Sequence, residues 1–164
     1  MPEVDARRSP AAWDLTEGGQ GAARALRAAI PEGVVVLSSS ERKAVRTAQL
    51  ATGRDPQQDP RFGEVIRPGE PHDEDVRARR AAWVRGEPDA RHRGWESPSS
   101  AALRFGAALH EQKTEELLIA THGMVLVAWL VSIGQVRPGA EAERFWTDLA
   151  FPDLLSIDLG RDDA

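Results

Sequence analysis

The run Leu117-Leu118-Ile119-Ala120-Thr121-His122-Gly123, continued at once by the apolar stretch Met124 to Val131, constrains the fold more than any other part of the chain. A short apolar run closed by turn-forming residues reads as a buried strand, and the uncharged apolar run behind it reads as a buried helix. A buried strand that feeds a buried helix is the repeating unit of a parallel sheet covered on both faces. Thr121, His122 and Gly123 then lie beyond the carboxyl end of a strand, where open α/β sheets bind ligands. His122 has two readings in that place: a satisfied core histidine, or a group that does acid, base or nucleophilic work.

The rest of the chain has the same alternation. Thr16 reads as the N-cap of a helix with Ala22, Ala25, Leu26, Ala29 and Ile30 on one face, ended by Pro31 and Gly33. Val34 to Leu37 is a second buried strand. One of Ser38, Ser39 and Ser40 caps the next helix, which has Ala44, Ala48 and Ala51 on one face and Gly53 as its stop. Residues 54–75 are rich in proline, glycine and charge and read mostly as loop. An arginine-rich helix covers Val76 to Arg85, residues 87–94 form a loop, and Ser97-Pro98 opens a helix with Ala101, Phe105, Ala108 and Leu109 on its apolar face. The strand 117–121 and the helix 124–133 are followed by a short helix from Glu141 to Leu149. A turn at Pro152-Asp153 leads into a last strand, Leu154 to Leu159. No repeat and no low-complexity segment interrupts this order. The expected fold class is α/β, one domain over residues 1–164 with three α/β/α layers about a mainly parallel sheet.

Several function classes are excluded on the same basis. A formal net charge of -5 argues against non-specific binding to nucleic acid or anionic lipid. The arginines 77, 79, 80, 85, 91 and 93 read as a solvated helix face plus loop, or as a nucleic-acid patch, and beyond Trp83 little aromatic interleaving supports the second. The chain has no cysteine, so thiolate chemistry is absent. His72 and His92 fall in loops and His110 has no second ligand at helical spacing, so no metal and no other cofactor is expected. The longest apolar run is too short to span a bilayer, and Met1-Pro2-Glu3-Val4-Asp5 has no signal character, so the expected location is cytoplasmic.

Two junctions fit a ligand edge, Leu37-Ser38-Ser39-Ser40 and Ala120-Thr121-His122-Gly123. Each runs into a helix whose free N–H groups favour an anion, phosphate being the usual one. Arg42, Lys43 and Arg46 sit in the first turns of a helix, where the macrodipole disfavours cations. They fit either a bound anion or a solvated basic face with Glu41 as local compensation. Glu64, in Arg61-Phe62-Gly63-Glu64-Val65, reads on its own as a surface carboxylate.

Taken in order, these pieces resemble the histidine phosphatase superfamily, with its phosphoglycerate mutase-like fold. Leu15-Thr16-Glu17-Gly18-Gly19 resembles the family's LTxxG helix start. Residues 38–48, Ser-Ser-Ser-Glu-Arg-Lys-Ala-Val-Arg-Thr-Ala, resemble its SSPxxRAxQTA segment. Arg61-Phe62-Gly63-Glu64 resembles the segment that carries the acid, and Thr121-His122-Gly123 the second histidine motif. Phe151-Pro152-Asp153 before a strand also fits. The resemblance implies roles: His122 binds and stabilises the phosphoryl group, Lys43 is a phosphate cation, and Glu64 is the proton donor. Ser38, Ser39, Ser40 and Gly123 shape the phosphate pocket. The implied partner is a phosphorylated small molecule or phosphate.

Two departures qualify this expectation. Lys43 stands where the family has arginine, and lysine offers a point charge without the bidentate fork. The family's first strand, ending in Arg-His-Gly with the nucleophilic histidine, has no counterpart here, because Met1 to Asp5 resembles the stretch immediately after that motif. The expectation is a start assigned too late, with about ten further residues upstream in the natural protein. The first reading is therefore a phosphomonoesterase working through a phosphohistidine in its longer form, this chain being inactive or impaired as numbered. The second is a non-catalytic binder of phosphate or phosphoesters on the same fold. A phosphoglycerate mutase is disfavoured, since residues 65–95 give one modest lid at most.

Overall fold

The computed structural model describes residues 9–114 and 116–159. The expected helix start is present: Thr16 caps α1 (Glu17–Ala25), its Oγ1 accepting the Gly19 N–H at 3.1 Å. The α-helix stops earlier than Ile30, and Leu26–Ala29 tightens into a 3-10 turn. β1 (Val35–Ser38) comes next, then α2 (Arg42–Thr52), which Gly53 ends at φ 72°, the left-handed conformation that glycine adopts freely. The serine cap of α2 is a correction. Glu41 is the N-cap residue and its side chain makes no cap bond, while Ser39 Oγ accepts the Glu41 N–H at 3.3 Å.

Residues 54–75 are not all loop. They contain the two-residue strand β2 (Gln57–Gln58) and a 3-10 turn, Pro60–Phe62. Downstream come α3 (Val76–Val84), α4 (Pro98–His110), β3 (Leu117–Ala120), α5 (Gly123–Ser132) and α6 (Ala140–Asp148). Ser97 caps α4 through Ser100 N–H, with Pro98 at its first position as expected. The last strand is a second correction. Residues 154–159 form no strand, although Ile157 and Leu159 pack against the core.

Among the described residues the sheet has the order β2-β1-β3, all parallel. The register Val35↔Leu117 to Ser38↔Ala120 ends β1 and β3 at the same level, so the residues after both strands emerge side by side. Alternation along each strand divides the core. Val36, Leu118 and Ala120 face Ala48 of α2, while Leu37, Leu117 and Ile119 face the larger cluster built from α3 to α6. Helices thus cover both faces, giving a three-layer α/β/α arrangement with the α1–α2 layer on one side. The larger cluster is centred on α5, where Val125 and Val127 are fully buried, and on the rings of Phe62, Phe105 and Trp129, the first pair meeting edge to face and the second tilted. Among the described residues no helix is long and apolar enough to cross a membrane.

Candidate active site

The matched strand ends create the site. Ser39 N–H donates to Ala120 O at 3.0 Å, one step beyond the last ladder pair, and holds the two junctions together. Thr121 Oγ1 donates to Phe62 O at 2.7 Å and ties the β3 end to the segment before Glu64. His122 is the N-cap residue of α5. Its Nε2 lies 2.7 Å from Ser39 Oγ and 3.2 Å from Glu41 Oε1. An ionised carboxylate only accepts, so the geometry calls for the tautomer that carries hydrogen on Nε2.

Lys43 reaches the same place. Its Nζ pairs with Glu41 Oε2 and donates to Pro10 O at 3.0 Å. Glu41 Oε1 also accepts the Glu64 backbone N–H at 2.7 Å. Lys43, His122 and the backbone of Glu64 therefore meet on one carboxylate. The side chains of His122, Glu41 and Lys43 are 6%, 15% and 18% exposed, so their charges are only partly screened by water. Burial holds the His122 imidazole below its ordinary pKa, against the pull of Glu41 and Glu64. Burial would raise the Glu41 carboxyl, but His122 when protonated, Lys43 and the Glu64 N–H outweigh it and keep Glu41 below the usual glutamate range.

The Glu64 carboxylate has partners of its own. Its Oε1 accepts Val125 N–H at 3.2 Å, a free donor of the first turn of α5, and Val65 N–H at 2.9 Å. Arg67 stands 3.9 Å from the same oxygen and is itself held by Glu70, which Arg80 grips with two bonds of 2.8 and 2.6 Å. Arg104 of α4 fixes the loop from behind, donating to the carbonyls of Arg61, Gly63 and Glu64 while pairing with Glu96. Glu64 is thus anchored by α4 and α5, and the isolated surface carboxylate suggested by sequence is not what the fold makes of it.

The remaining candidates divide. Ser39 is fully buried against His122. Ser38 is fully buried as well, and its Oγ has no partner among the described residues. Ser40 is exposed and does not join the cluster. Gly123 is buried where a Cβ would stand 3.1 Å from Trp146 Nε1, so α5 begins against that ring. Arg42 turns away to Asp14 at 2.8 Å, and with Arg46 it lines a cleft beside Gln20. For Arg42 the solvated-face reading holds, and Lys43 alone of the three basic residues enters the site. The other histidines have different places. His92 is buried with Nδ1 accepting Asp89 N–H and Nε2 bonded to Arg79 O, His72 lies near Trp13, and His110 ends α4. No group of three His, Asp or Glu among the described residues is placed to hold a metal ion. The expectation built on Met1 to Asp5 lies outside the described residues.

Glu41 is the site residue that sequence reasoning passed over. Its spacing to Lys43 marked it as charge compensation, which it is, but nothing local announced that the compensation occurs at His122.

The sequence profile of the histidine phosphatase superfamily (branch 1) matches residues 7–151. The chain belongs to the histidine phosphatase superfamily. Solved structures agree on the fold. A phosphoglycerate mutase from Thermus thermophilus is 30% identical with a TM-score of 0.60, over 74% of this chain and 71% of that one. A mycobacterial glucosyl-3-phosphoglycerate phosphatase in complex with VO3 has a TM-score of 0.63 at 20% identity, over 80% of this chain and 74% of that one. A protein described as mycobacterial hydrolase 1 has a TM-score of 0.61 at 22% identity, over 84% and 74%. No protein of curated function matches the chain significantly. Of the segments that carry the resemblance, the ends of β1 and β3, the start of α2 and the loop before Glu64 meet here.

Proposed function

We propose that the chain is the phosphate-handling part of a phosphomonoester hydrolase. The observation that carries this reading is the convergence of Lys43 Nζ, His122 Nε2 and the Glu64 N–H on a single anionic group at the carboxyl edge of the sheet. A cation, a ring N–H and a backbone N–H in a poorly solvated site are what the equatorial oxygens of a transferring phosphoryl group require. Glu64, held by Val125 N–H beside this point, supplies the proton of the leaving oxygen.

The nucleophile in this reading is a histidine carried on a segment outside this sequence. β3 is the edge of the sheet among the described residues, and a parallel strand added there would deliver its carboxyl end beside His122. The imidazole nitrogen bonds to phosphorus as the ester P–O bond breaks, and Glu64 protonates the departing alkoxide. Water then attacks phosphorus, the P–N bond breaks, and the Glu64 carboxylate takes the proton from water. The products are an alcohol and inorganic phosphate, and the leaving histidine is restored.

The test compares this chain with a form extended by its upstream in-frame codons, using p-nitrophenyl phosphate. The long form turns the ester over, and H122A and E64Q each reduce kcat/KM by about a hundred-fold or more. An extended form without turnover, or one indifferent to H122A, overturns the reading. The second reading, a non-catalytic phosphoester binder, draws on the same convergence of donors. It predicts phosphate binding in either form with no turnover.

A further inference from the structure

The anion position described above already has an occupant. Glu41 places Oε2 on Lys43 Nζ, and its Oε1 accepts the Glu64 N–H at 2.7 Å and lies 3.2 Å from His122 Nε2. Ser39, which bridges to His122, also receives the Glu41 backbone N–H. The start of helix α2 does not require this side chain. The backbone carbonyl of Glu41, not its carboxylate, receives the Ala44 and Val45 N–H groups, and the side chain makes no cap bond. The carboxylate points instead into the set of donors that an oxyanion would use.

We propose that Glu41 is the residue that sets the anion affinity of this site: its carboxylate is a built-in occupant, and a phosphoryl group enters only by displacing it from Lys43 and His122. The proposal rests on the reading of Lys43 and His122 as phosphate-binding residues. Two anions cannot share the position, because like charges at contact distance repel where water screens them poorly. The affinity for phosphate is then reduced by the fraction of time that the carboxylate is withdrawn, as for any site that must open before it binds. Replacing the charge by a neutral group of the same shape keeps an acceptor for the Glu64 N–H, leaves Lys43 without a counter-charge beside its bond to Pro10 O, and lets an external anion complete the set. Glu41 thereby determines which anions compete: a phosphate ester must offer more oxygens and more charge than the side chain it evicts.

The experiment is calorimetric titration of the whole chain with inorganic phosphate. E41Q binds phosphate about ten-fold or more tightly than the unaltered chain, and phosphate raises its Tm by more. E41L, which removes both charge and acceptor, is the second variant and shifts in the same direction should E41Q fail to fold. Adding K43M or H122A to E41Q removes the gain. A purely structural role for Glu41 would weaken binding or leave it unchanged, so affinity in E41Q or E41L equal to or below that of the unaltered chain overturns the proposal. If K43M and H122A abolish binding while E41Q leaves it unaltered, the inference fails and the phosphate site stands. If binding is indifferent to K43M and H122A, or if no variant binds millimolar phosphate, the underlying site reading falls and takes the inference with it.

Discussion

The Lys43–Glu41 pair gives a stability prediction that can be worked from the geometry. K43M removes the cation and leaves the Glu41 carboxylate facing the Glu64 N–H and His122. Three magnitudes bound the cost. Unit charges 4 Å apart attract by about 4 kcal/mol at an effective dielectric of 20. Fully exposed pairs contribute about 0–1 kcal/mol, whereas removing one partner of a buried pair costs about 3–5 kcal/mol. Side chains 18% and 15% exposed put this pair nearer the buried limit, but the Glu64 N–H still compensates the orphaned carboxylate. K43M should therefore cost about 2 kcal/mol, a fall in Tm of about 4–8 °C for a domain of this size. E41Q should cost less, since a lysine stem can carry its ammonium into water. The double variant should be milder than the sum of the two, with a coupling of about 1–2 kcal/mol at neutral pH. Urea unfolding of the four proteins measures the cycle. Additivity to within about 0.5 kcal/mol would show that the two groups do not interact in solution and would remove the electrostatic basis of the site.

Other contacts lead to three more expected outcomes. Because burial lowers the His122 pKa, the unfolded chain takes up its proton first as pH falls. The stability due to the neutral imidazole is complete above about pH 6.5 and is lost below it as pH approaches the folded value, so H122Q should flatten the Tm profile from about pH 6.5 downward. Glu41 and Glu70, both held low, add a loss that begins below about pH 4.5, and a profile with the unaltered slope in H122Q would contradict the first part. G123A should destabilise by about 1–2 kcal/mol in urea although alanine is the better helix former, because its Cβ meets Trp146 at 3.1 Å. T16A should cost about 1 kcal/mol through the lost bond to Gly19 N–H, read as a lower urea midpoint with an unchanged slope.

What could be read from sequence was what local pattern encodes. Val34 to Leu37, Leu117 to Ala120 and Met124 to Val131 are apolar enough to need burial wherever they fall, and their order is that of a parallel sheet. Gln57 and Gln58 carry no such signal. They form a strand because Leu37 and Ser38 offer a free edge, which is a tertiary fact. Leu154 to Leu159 shows the converse, for its Ile157 and Leu159 reach the core without a ladder partner among the described residues. Within the site, His122 and Lys43 stood out because their residue types suited a phosphate. Glu41 did not, because a carboxylate is the wrong sign for an anion site until it is understood as the anion. Arg104 was illegible for another reason: its work is done on the carbonyls of residues forty positions away, which no spacing reveals.

Glu64 N–H donates to the Glu41 carboxylate and Val125 N–H to that of Glu64, side chains instead of a helix or strand ladder. A ladder amide exchanges its hydrogen with solvent when secondary structure opens, but these two also exchange when a carboxylate turns away. Each is therefore a native clock for one movement, the first timing the departure of Glu41 and the second the swing of Glu64. Deuterium uptake at these positions can follow the two carboxylates separately, without a probe being introduced into the protein.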